Sequence, residues 1–267
     1  MRRCVLLGLA VIVLCGSLRA AQTGQGPQAP LGAQSSGDDI MREADRVSRG
    51  FVGERSVFTL VMINAQGDRT ERRFTLELRE NEQDAQQSRI DFDWPENVRG
   101  TVLLTHAHKA AEDDLWLFLP AAGRVRRISA GSRSGSFMGS EFTYEDLTPF
   151  VLSKYSYNRM ADDTVDGKPC FLVERRPRTE GSGYSRQLVW LDKQHVAPVK
   201  MEYYDRKNDL LKVAYYREDR TVGGYQRYDL VRMENRQTKR VSELRAGNRQ
   251  LGLALDASRF RSQALDR

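Results

Sequence analysis

Residues 73–79 read Arg-Phe-Thr-Leu-Glu-Leu-Arg, a stretch in which large apolar residues alternate with polar and charged ones. Successive side chains of a strand point to opposite faces of a sheet, so this stretch has one apolar and one charged face. Residues 57–62 and 89–94 repeat the alternation, and Asn-Ala-Gln-Gly-Asp at 64–68 predicts a hairpin loop. The three segments therefore predict half-buried strands of an antiparallel sheet, with the charged face in solvent.

Strand patterns continue along the chain, separated by turn signals rich in Gly, Asn and Asp. The further predicted strands lie at residues 115–119, 124–128, 168–175, 184–191, 198–204, 210–216, 225–233 and 238–244. Roughly ten strands at this spacing predict a mainly β fold, a single curved antiparallel sheet or half-open barrel. The sequence has no strand–helix–strand unit of about 30 residues, which argues against a nucleotide-binding α/β fold.

Only one helix has a clear signal before the strands begin. Apolar residues recur at helical spacing from Ile40 to Phe51, and Asp38 or Asp39 can cap the first turn. We therefore expect an amphipathic helix at about residues 39–49. A second, short helix is predicted to start after residue 147, with Thr148 as its cap and Pro149 at its first position.

The first residues have the order of a secretory signal peptide. Arg2 and Arg3 precede an apolar run at 5–14, and small residues follow near Ala20. We expect residues 1–20 to be a cleaved signal, 21–37 a flexible leader, and 38–267 one domain. A retained anchor, or a lipid-modified Cys15, is the alternative. The protein is thus expected in the periplasm.

Charge and cysteine content narrow the possible functions. Removing the predicted signal lowers the net charge from +6 to +3, which is too little for the basic footprint of a nucleic-acid-binding protein. Cys170 is the one cysteine left after residue 20, so we expect no internal disulfide. It lies in an apolar run and is predicted to be buried rather than reactive.

No combination of residues indicates catalysis. His106 and His108 could share one strand face with Glu112 or Asp113 nearby, but their polar surroundings favour a surface loop over a zinc site. We find no nucleophile–base motif, phosphate loop or Cys-x-x-Cys pair. Glu145 and Asp146 are adjacent and are predicted to be surface carboxylates. The sequence predicts no enzyme, no catalytic residue, no metal and no cofactor.

Residues 129–147 form the most unusual segment. Its first part is rich in Gly and Ser, and its second part carries Phe137, Met138, Phe142 and Tyr144. Such a loop suits a lid or a binding lip. It is equally consistent with a loop whose apolar side chains simply pack on the sheet, and the sequence leaves both open.

Three stretches carry a resemblance to a known family. They are Asp-Leu-Trp-Leu-Phe-Leu-Pro at 114–120, Arg-Val-Arg-Arg-Ile at 124–128, and Phe-Met-Gly-Ser-Glu-Phe-Thr-Tyr-Glu-Asp-Leu at 137–147. Together they resemble the outer-membrane lipoprotein-sorting protein (LolA-like) family, in the branch associated with resistance-nodulation-division (RND) exporters. The resemblance implies a half-open barrel with helices covering its concave face and an apolar cavity. It also implies an early-strand arginine that holds the lid, for which Arg72 and Arg73 are candidates.

The function that the resemblance implies is that of a periplasmic carrier or chaperone. It would bind a lipid or a lipoprotein acyl chain and move it from an inner-membrane exporter to an outer-membrane acceptor. The alternative is a non-carrying accessory subunit that docks on an RND-type transporter. We expect a monomer that binds no nucleic acid. The residues expected to contact the ligand are Leu76, Phe92, Leu117, Phe137, Met138, Phe142, Tyr144, Trp190 and Met201.

Overall fold

A computed structural model describes residues 30–265, in which one α-helix precedes fourteen strands. The predicted signal at 1–20 and residues 21–29 of the predicted leader lie outside this range, so those two assignments stay predictions. No helix within 30–265 is long and apolar enough to cross a membrane. The elements are α1 (Gly37–Ser48), β1 (Gly53–Ile63), β2 (Arg69–Arg79), β3 (Gln87–Trp94), β4 (Val102–His106), β5 (Asp114–Leu119), β6 (Arg124–Arg127), β7 (Tyr155–Arg159), β8 (Asp163–Val165), β9 (Lys168–Pro177), β10 (Tyr184–Asp192), β11 (Pro198–Asp205), β12 (Leu210–Val222), β13 (Tyr225–Asn235) and β14 (Val241–Leu251).

The strands form one antiparallel sheet in the order β6-β5-β4-β3-β2-β1-β14-β13-β12-β11-β10-β9-β7, with β8 paired to β9. Within the described residues, β6 and β7 are its edges and do not pair with each other. The predicted open, curved antiparallel sheet is thereby confirmed. Among residues 30–265, one α-helix covers its concave face, where the resemblance implied several.

Three strands were not predicted: β4, β7 and β8. In β4, residues 102–105 are all buried, because both faces of the sheet are covered there, so no alternation is visible in the sequence. His106 ends β4 and is half-buried, so its prediction as part of a surface loop is wrong.

The concave face holds the largest core, and its β1–β3 half is filled by aromatic rings. Phe58 stacks on Phe74 at a centroid distance of 5.5 Å, and Phe74 contacts Phe92 at 5.3 Å. Phe137 packs on Phe92 at 5.6 Å and has no exposed surface. Phe142 is 3% exposed in the same core. We call this region, β1–β3 with Phe137 and Phe142, the filled half.

The convex face of the sheet is not simply solvated. The chain after β14 folds back over β3–β6, where Phe260 and Leu265 pack on Val102 and Leu104. This segment also buries Glu77, which accepts hydrogen bonds from Arg55 and Arg259. Glu77 is 1% exposed, so the predicted solvated charged face is wrong here: a distant segment covers it.

Helix α1 begins two residues earlier than predicted and has a different cap. The Ser36 hydroxyl accepts a hydrogen bond from the Asp39 backbone, and the Asp39 carboxylate accepts one from the Ser36 backbone. This capping box satisfies two otherwise unpaired N–H groups. Gly37 lies so close to β7 that a Cβ atom at this position would be 2.9 Å from the backbone nitrogen of Arg159. Close approach therefore positions the helix against the sheet.

Residues 30–36 of the predicted leader contact the domain. Leu31 packs against the main core. The Arg159 guanidinium donates hydrogen bonds to the carbonyl oxygens of Gly32, Ala33 and Ser35. The ordered structure therefore extends to residues before the helix.

The predicted helix after residue 147 is absent from the described chain. Thr148 does not cap a helix, because its hydroxyl donates to the carbonyl of Tyr144. The segment instead contains one 3₁₀ turn, Leu152–Lys154. It leads directly into β7.

Candidate functional site

A cavity of about 480 Å³ lies between α1 and the concave side of β9–β13. We call this region the cavity half. Its volume falls within the range of about 300–1,000 Å³ that is usual for small-molecule sites. The apolar part of its wall includes residues of α1, of the sheet and of the loops beside it, among them Met41, Ala44, Val47, Phe51, Leu78, Phe150, Val189, Leu191, Val196 and Met201.

Tyrosines make up much of the remaining wall. Tyr155, Tyr203, Tyr216 and Tyr228 all line the cavity. Burial raises the pKa of each of these phenols, so all four hydroxyls are neutral at physiological pH. The buried hydroxyl of Tyr228 has no hydrogen-bond partner among residues 30–265. The tyrosines thus add polar but uncharged groups to the wall.

Most charged groups on the wall are paired within the protein. Asp113 binds Lys154, and Glu54 binds Arg227 at 2.9 Å. The Asp45 carboxylate lies 2.8 Å from the guanidinium of Arg49. Such internal pairing offsets the cost of removing these charges from water.

Arg175 is the exception among the cationic groups of the wall. Its Nε donates a hydrogen bond to Oε1 of Gln187, and its guanidinium lies 4.7 Å from the ring centroid of Tyr155 and 5.2 Å from that of Phe150. Within the described part of the chain, no carboxylate lies within 4 Å of it. Its charge therefore faces aromatic rings and a neutral amide.

Glu145 and Asp146 are not the surface carboxylates that the sequence predicts. Asp146 lies 2.6 Å from Nζ of Lys212, and these two side chains are 4% and 2% exposed. The Tyr184 hydroxyl also donates to Asp146, at 2.8 Å. Glu145 accepts hydrogen bonds from the Ser182 hydroxyl and the Gly183 backbone. Burial raises the pKa of Glu145. The prediction failed because these partners come from distant strands and loops.

The two early histidines are tied to neighbouring groups. Nε2 of His106 donates to the Phe260 carbonyl at 2.6 Å. His108 lies between the carboxylates of Asp84 and Asp114. Burial opposes protonation of His108, but the hydrogen bonds to both carboxylates outweigh it and raise its pKa. Across residues 30–265, no group of three or more His, Cys, Asp or Glu side chains could hold a metal ion.

Of the nine residues expected to contact a ligand, Met201 lines the cavity. Phe92, Phe137 and Phe142 are core residues of the filled half, and four others are partly buried against the same core. These four are Leu76, Leu117, Met138 and Tyr144. Leu117 and Tyr144 also line a second recess of about 260 Å³ beside β6.

Trp190 lies on the opposite face of the sheet from Met201. In the β10–β11 pairing, Val189 is opposite Met201, whereas Trp190 is opposite Lys200. Trp190 packs with Cys170, which is buried as predicted. Contact of any of the nine residues with a ligand stays a prediction.

The arginines suggested by the resemblance do not line the cavity. Arg73 is exposed and stacks over Trp94 at 5.0 Å. Arg72 is half-buried opposite Leu60, and burial lowers its pKa. Their proposed role in holding a lid stays a prediction.

Sequence reasoning missed Arg175, although a signal was present. Phe171, Val173 and Arg175 alternate on one face of β9, where the first two are buried. A charged residue at an apolar position of a strand marks either an internal ion pair or a binding group. The cavity-lining residues of α1, such as Ala44, carry no comparable signal.

Comparison with known proteins places the chain in a family. A family model described as "Uncharacterized protein" matches residues 84–267. Among curated proteins, none matches the chain. Of solved structures, an outer membrane lipoprotein-sorting protein domain from Vibrio parahaemolyticus is 37% identical, with a TM-score of 0.84 over 86% of this chain and 98% of that one.

Two further solved structures share the fold. A DUF1329 family protein from Desulfovibrio piger is 28% identical, with a TM-score of 0.81 over 86% of this chain and 97% of its own. A LolA superfamily protein from Nitrosomonas europaea has a TM-score of 0.71 at 19% identity, over 86% and 99% of the two chains, a likeness of fold alone. The identity to the Vibrio domain over nearly its whole length, together with the open sheet, shows that the chain belongs to the outer-membrane lipoprotein-sorting (LolA-like) family.

Proposed function

We propose that this protein binds an acyl chain of a lipid or lipoprotein in the cavity half and carries it across the periplasm. The observation that carries the proposal is the cavity of about 480 Å³ between α1 and the sheet, with its aliphatic and aromatic wall. The likeness to the Vibrio relative, a lipoprotein-sorting domain, supports the same ligand class. The signal-like pattern at residues 1–20 supports the compartment.

The chemistry of the wall is sufficient for such a ligand. Each methylene group removed from water contributes about 0.8 kcal/mol, so an acyl chain binds without specific polar contacts. The wall tyrosines stay neutral and can contact the chain through their ring faces. In this proposal the protein is not an enzyme, and it releases its ligand unchanged to an acceptor. An inner-membrane exporter, such as an RND-type transporter, supplies the ligand.

The test is mass spectrometry of lipid extracted from protein purified from its native periplasm. We expect lipid or acylated peptide to accompany the wild-type protein in near-stoichiometric amount. Ala44→Phe places a ring in the cavity from α1 and should abolish this recovery. Arg46→Phe changes an exposed residue of the same helix and is the matched control. Absence of lipid from the wild-type protein, together with failure to bind an added amphiphile, would overturn the proposal.

A second candidate function is supported by the filled half. Because Phe137 and Phe142 occupy part of the concave face themselves, the fold can exist with much of its interior closed. An accessory subunit that docks on an RND-type transporter would need no ligand. This candidate predicts transporter binding by both wild type and Ala44→Phe, with no lipid recovered from either.

A further inference from the structure

We propose that the ligand of the cavity half has an anionic head group, a carboxylate or a phosphate, which Arg175 binds. This inference rests on the proposed function, since it names the chemical class of the amphiphile in the same cavity. It follows from the distribution of charge on the cavity wall and from the environment of one guanidinium group.

The charge on the wall is not balanced at Arg175. Lys154 has Asp113, and Arg227 has Glu54, as a bound carboxylate. Arg133 lies 3.8 Å from Glu112 and also donates to the carbonyl of Asp113. Within residues 30–265, Arg175 alone among the cations of the wall lacks a carboxylate within 4 Å. The other cavity cations thus each have a carboxylate within 4 Å, and Arg175 does not.

The carboxylates of the wall do not supply the missing partner. Asp146 binds Lys212 at 2.6 Å. Glu145 is bound by Ser182 and Gly183, and its burial favours the neutral acid. An anion at Arg175 must therefore come from outside the described chain.

The guanidinium is held in one orientation. Its Nε bonds to Gln187, and the rings of Tyr155 and Phe150 lie within 5.2 Å of its central carbon. The terminal nitrogens Nη1 and Nη2 have no hydrogen-bond acceptor among the described residues. A planar guanidinium with free terminal N–H groups matches the two oxygens of a carboxylate or phosphate.

The position of Arg175 suits an amphiphile. It lies opposite Gln187 in the β9–β10 pairing. The next two pairs on the same face of the sheet are Val173 with Val189 and Phe171 with Leu191. The inner surface therefore changes from polar to apolar along the same two strands. A head group at Arg175 would leave its acyl chain against Val189 and Leu191, which line the cavity.

The experiment measures binding of two fluorescent probes, cis-parinaric acid and the corresponding alcohol, at pH 8. We expect the wild-type protein to bind the acid at least about tenfold more tightly than the alcohol, because hydrogen bonds to charged groups are strong. Arg175→Gln should remove this preference and leave the affinity for the alcohol unchanged. Arg175→Lys should retain part of it, because the charge stays but the planar fork is lost.

Arg176→Gln is the matched control, because Arg176 is the next residue of β9, is exposed, and binds Glu174 instead. It should behave as the wild type. The unchanged alcohol affinity of Arg175→Gln shows that the cavity remains folded. Equal wild-type affinities for acid and alcohol would overturn this inference alone. Binding of neither probe would overturn the proposed function and the inference with it.

Competition identifies the source of the anion. Dodecyl phosphate and dodecanoate should both displace cis-parinaric acid from the wild-type protein. Inorganic phosphate at the same concentration should not, since it lacks an acyl chain. Displacement by inorganic phosphate alone would overturn the assignment of a lipid head group.

Discussion

The filled half and the cavity half belong to the same sheet, but their apolar concave faces are covered in different ways. In the filled half, the loop after β6 supplies Phe137 and Phe142, which are 0% and 3% exposed and pack in the same core as Phe74 and Phe92. In the cavity half, α1 lies over the sheet and about 480 Å³ between them stays unfilled. The difference shows that side chains of the protein itself can fill a part of this concave face in which a ligand would otherwise bind. Stability should depend mainly on the first half and ligand binding on the second.

The largest effect is expected from Phe137→Ala. Phe137 is fully buried and contacts Phe74, Phe92 and Tyr144, so its loss leaves a cavity with no side chain to fill it. We expect the free energy of unfolding to fall by about 3–5 kcal/mol, measured by urea denaturation. Affinity for a fatty-acid probe should be unchanged where the variant is folded. A loss of affinity with little loss of stability would reverse the roles of the two halves.

The buried ion pair between Asp146 and Lys212 gives the next largest effect. Lys212→Met leaves the Asp146 carboxylate buried without its cation, and should lower the free energy of unfolding by about 3 kcal/mol. The double variant Lys212→Met with Asp146→Leu removes both charges and should be more stable than Lys212→Met alone. If the double variant lost as much as the sum of both single variants, the pair would not be coupled in this way.

A smaller effect on stability is expected at His108, and it depends on pH. Because the folded-state pKa of His108 is raised, its stabilising effect is fully present below about pH 6.5 and is lost as pH rises through the folded pKa. His108→Gln should therefore lower the free energy of unfolding by up to about 1 kcal/mol at pH 5.5, and by less at pH 9. Denaturation curves at the two pH values measure this. An equal loss at both would show that the charge of His108 contributes nothing.

The alternating strands could be predicted from the sequence because one apolar face is a local property. Phe74 and Leu76 indicate β2 without knowledge of the rest of the chain. Strand β4 could not be predicted in this way, because it is covered on both faces and does not alternate. Glu77 was expected in solvent, since nothing near it in sequence reveals that the segment around Arg259 will cover it.

The candidate site was harder to predict than the fold for a related reason. Lys212, the cation that pairs with Asp146, is 66 residues away in sequence. A cavity is the space that distant elements leave between them, so Ala44 and Val189 carry no local mark of lining one. Large apolar residues were predicted to contact the ligand, yet Phe92 and Phe137 pack in the core rather than line the cavity. Arg175, charged at an apolar strand position, was the detectable exception.

Methyl NMR during titration with dodecanoate tests most directly whether the two halves differ as described. The predicted result is saturable shifts of Met41, Val189, Leu191 and Met201 methyl signals, which belong to the cavity wall. The methyl signals of Leu76 and Leu117, packed against the filled half, should remain unchanged. Saturable shifts at Leu76 and Leu117 with none at Val189 and Met201 would contradict the account.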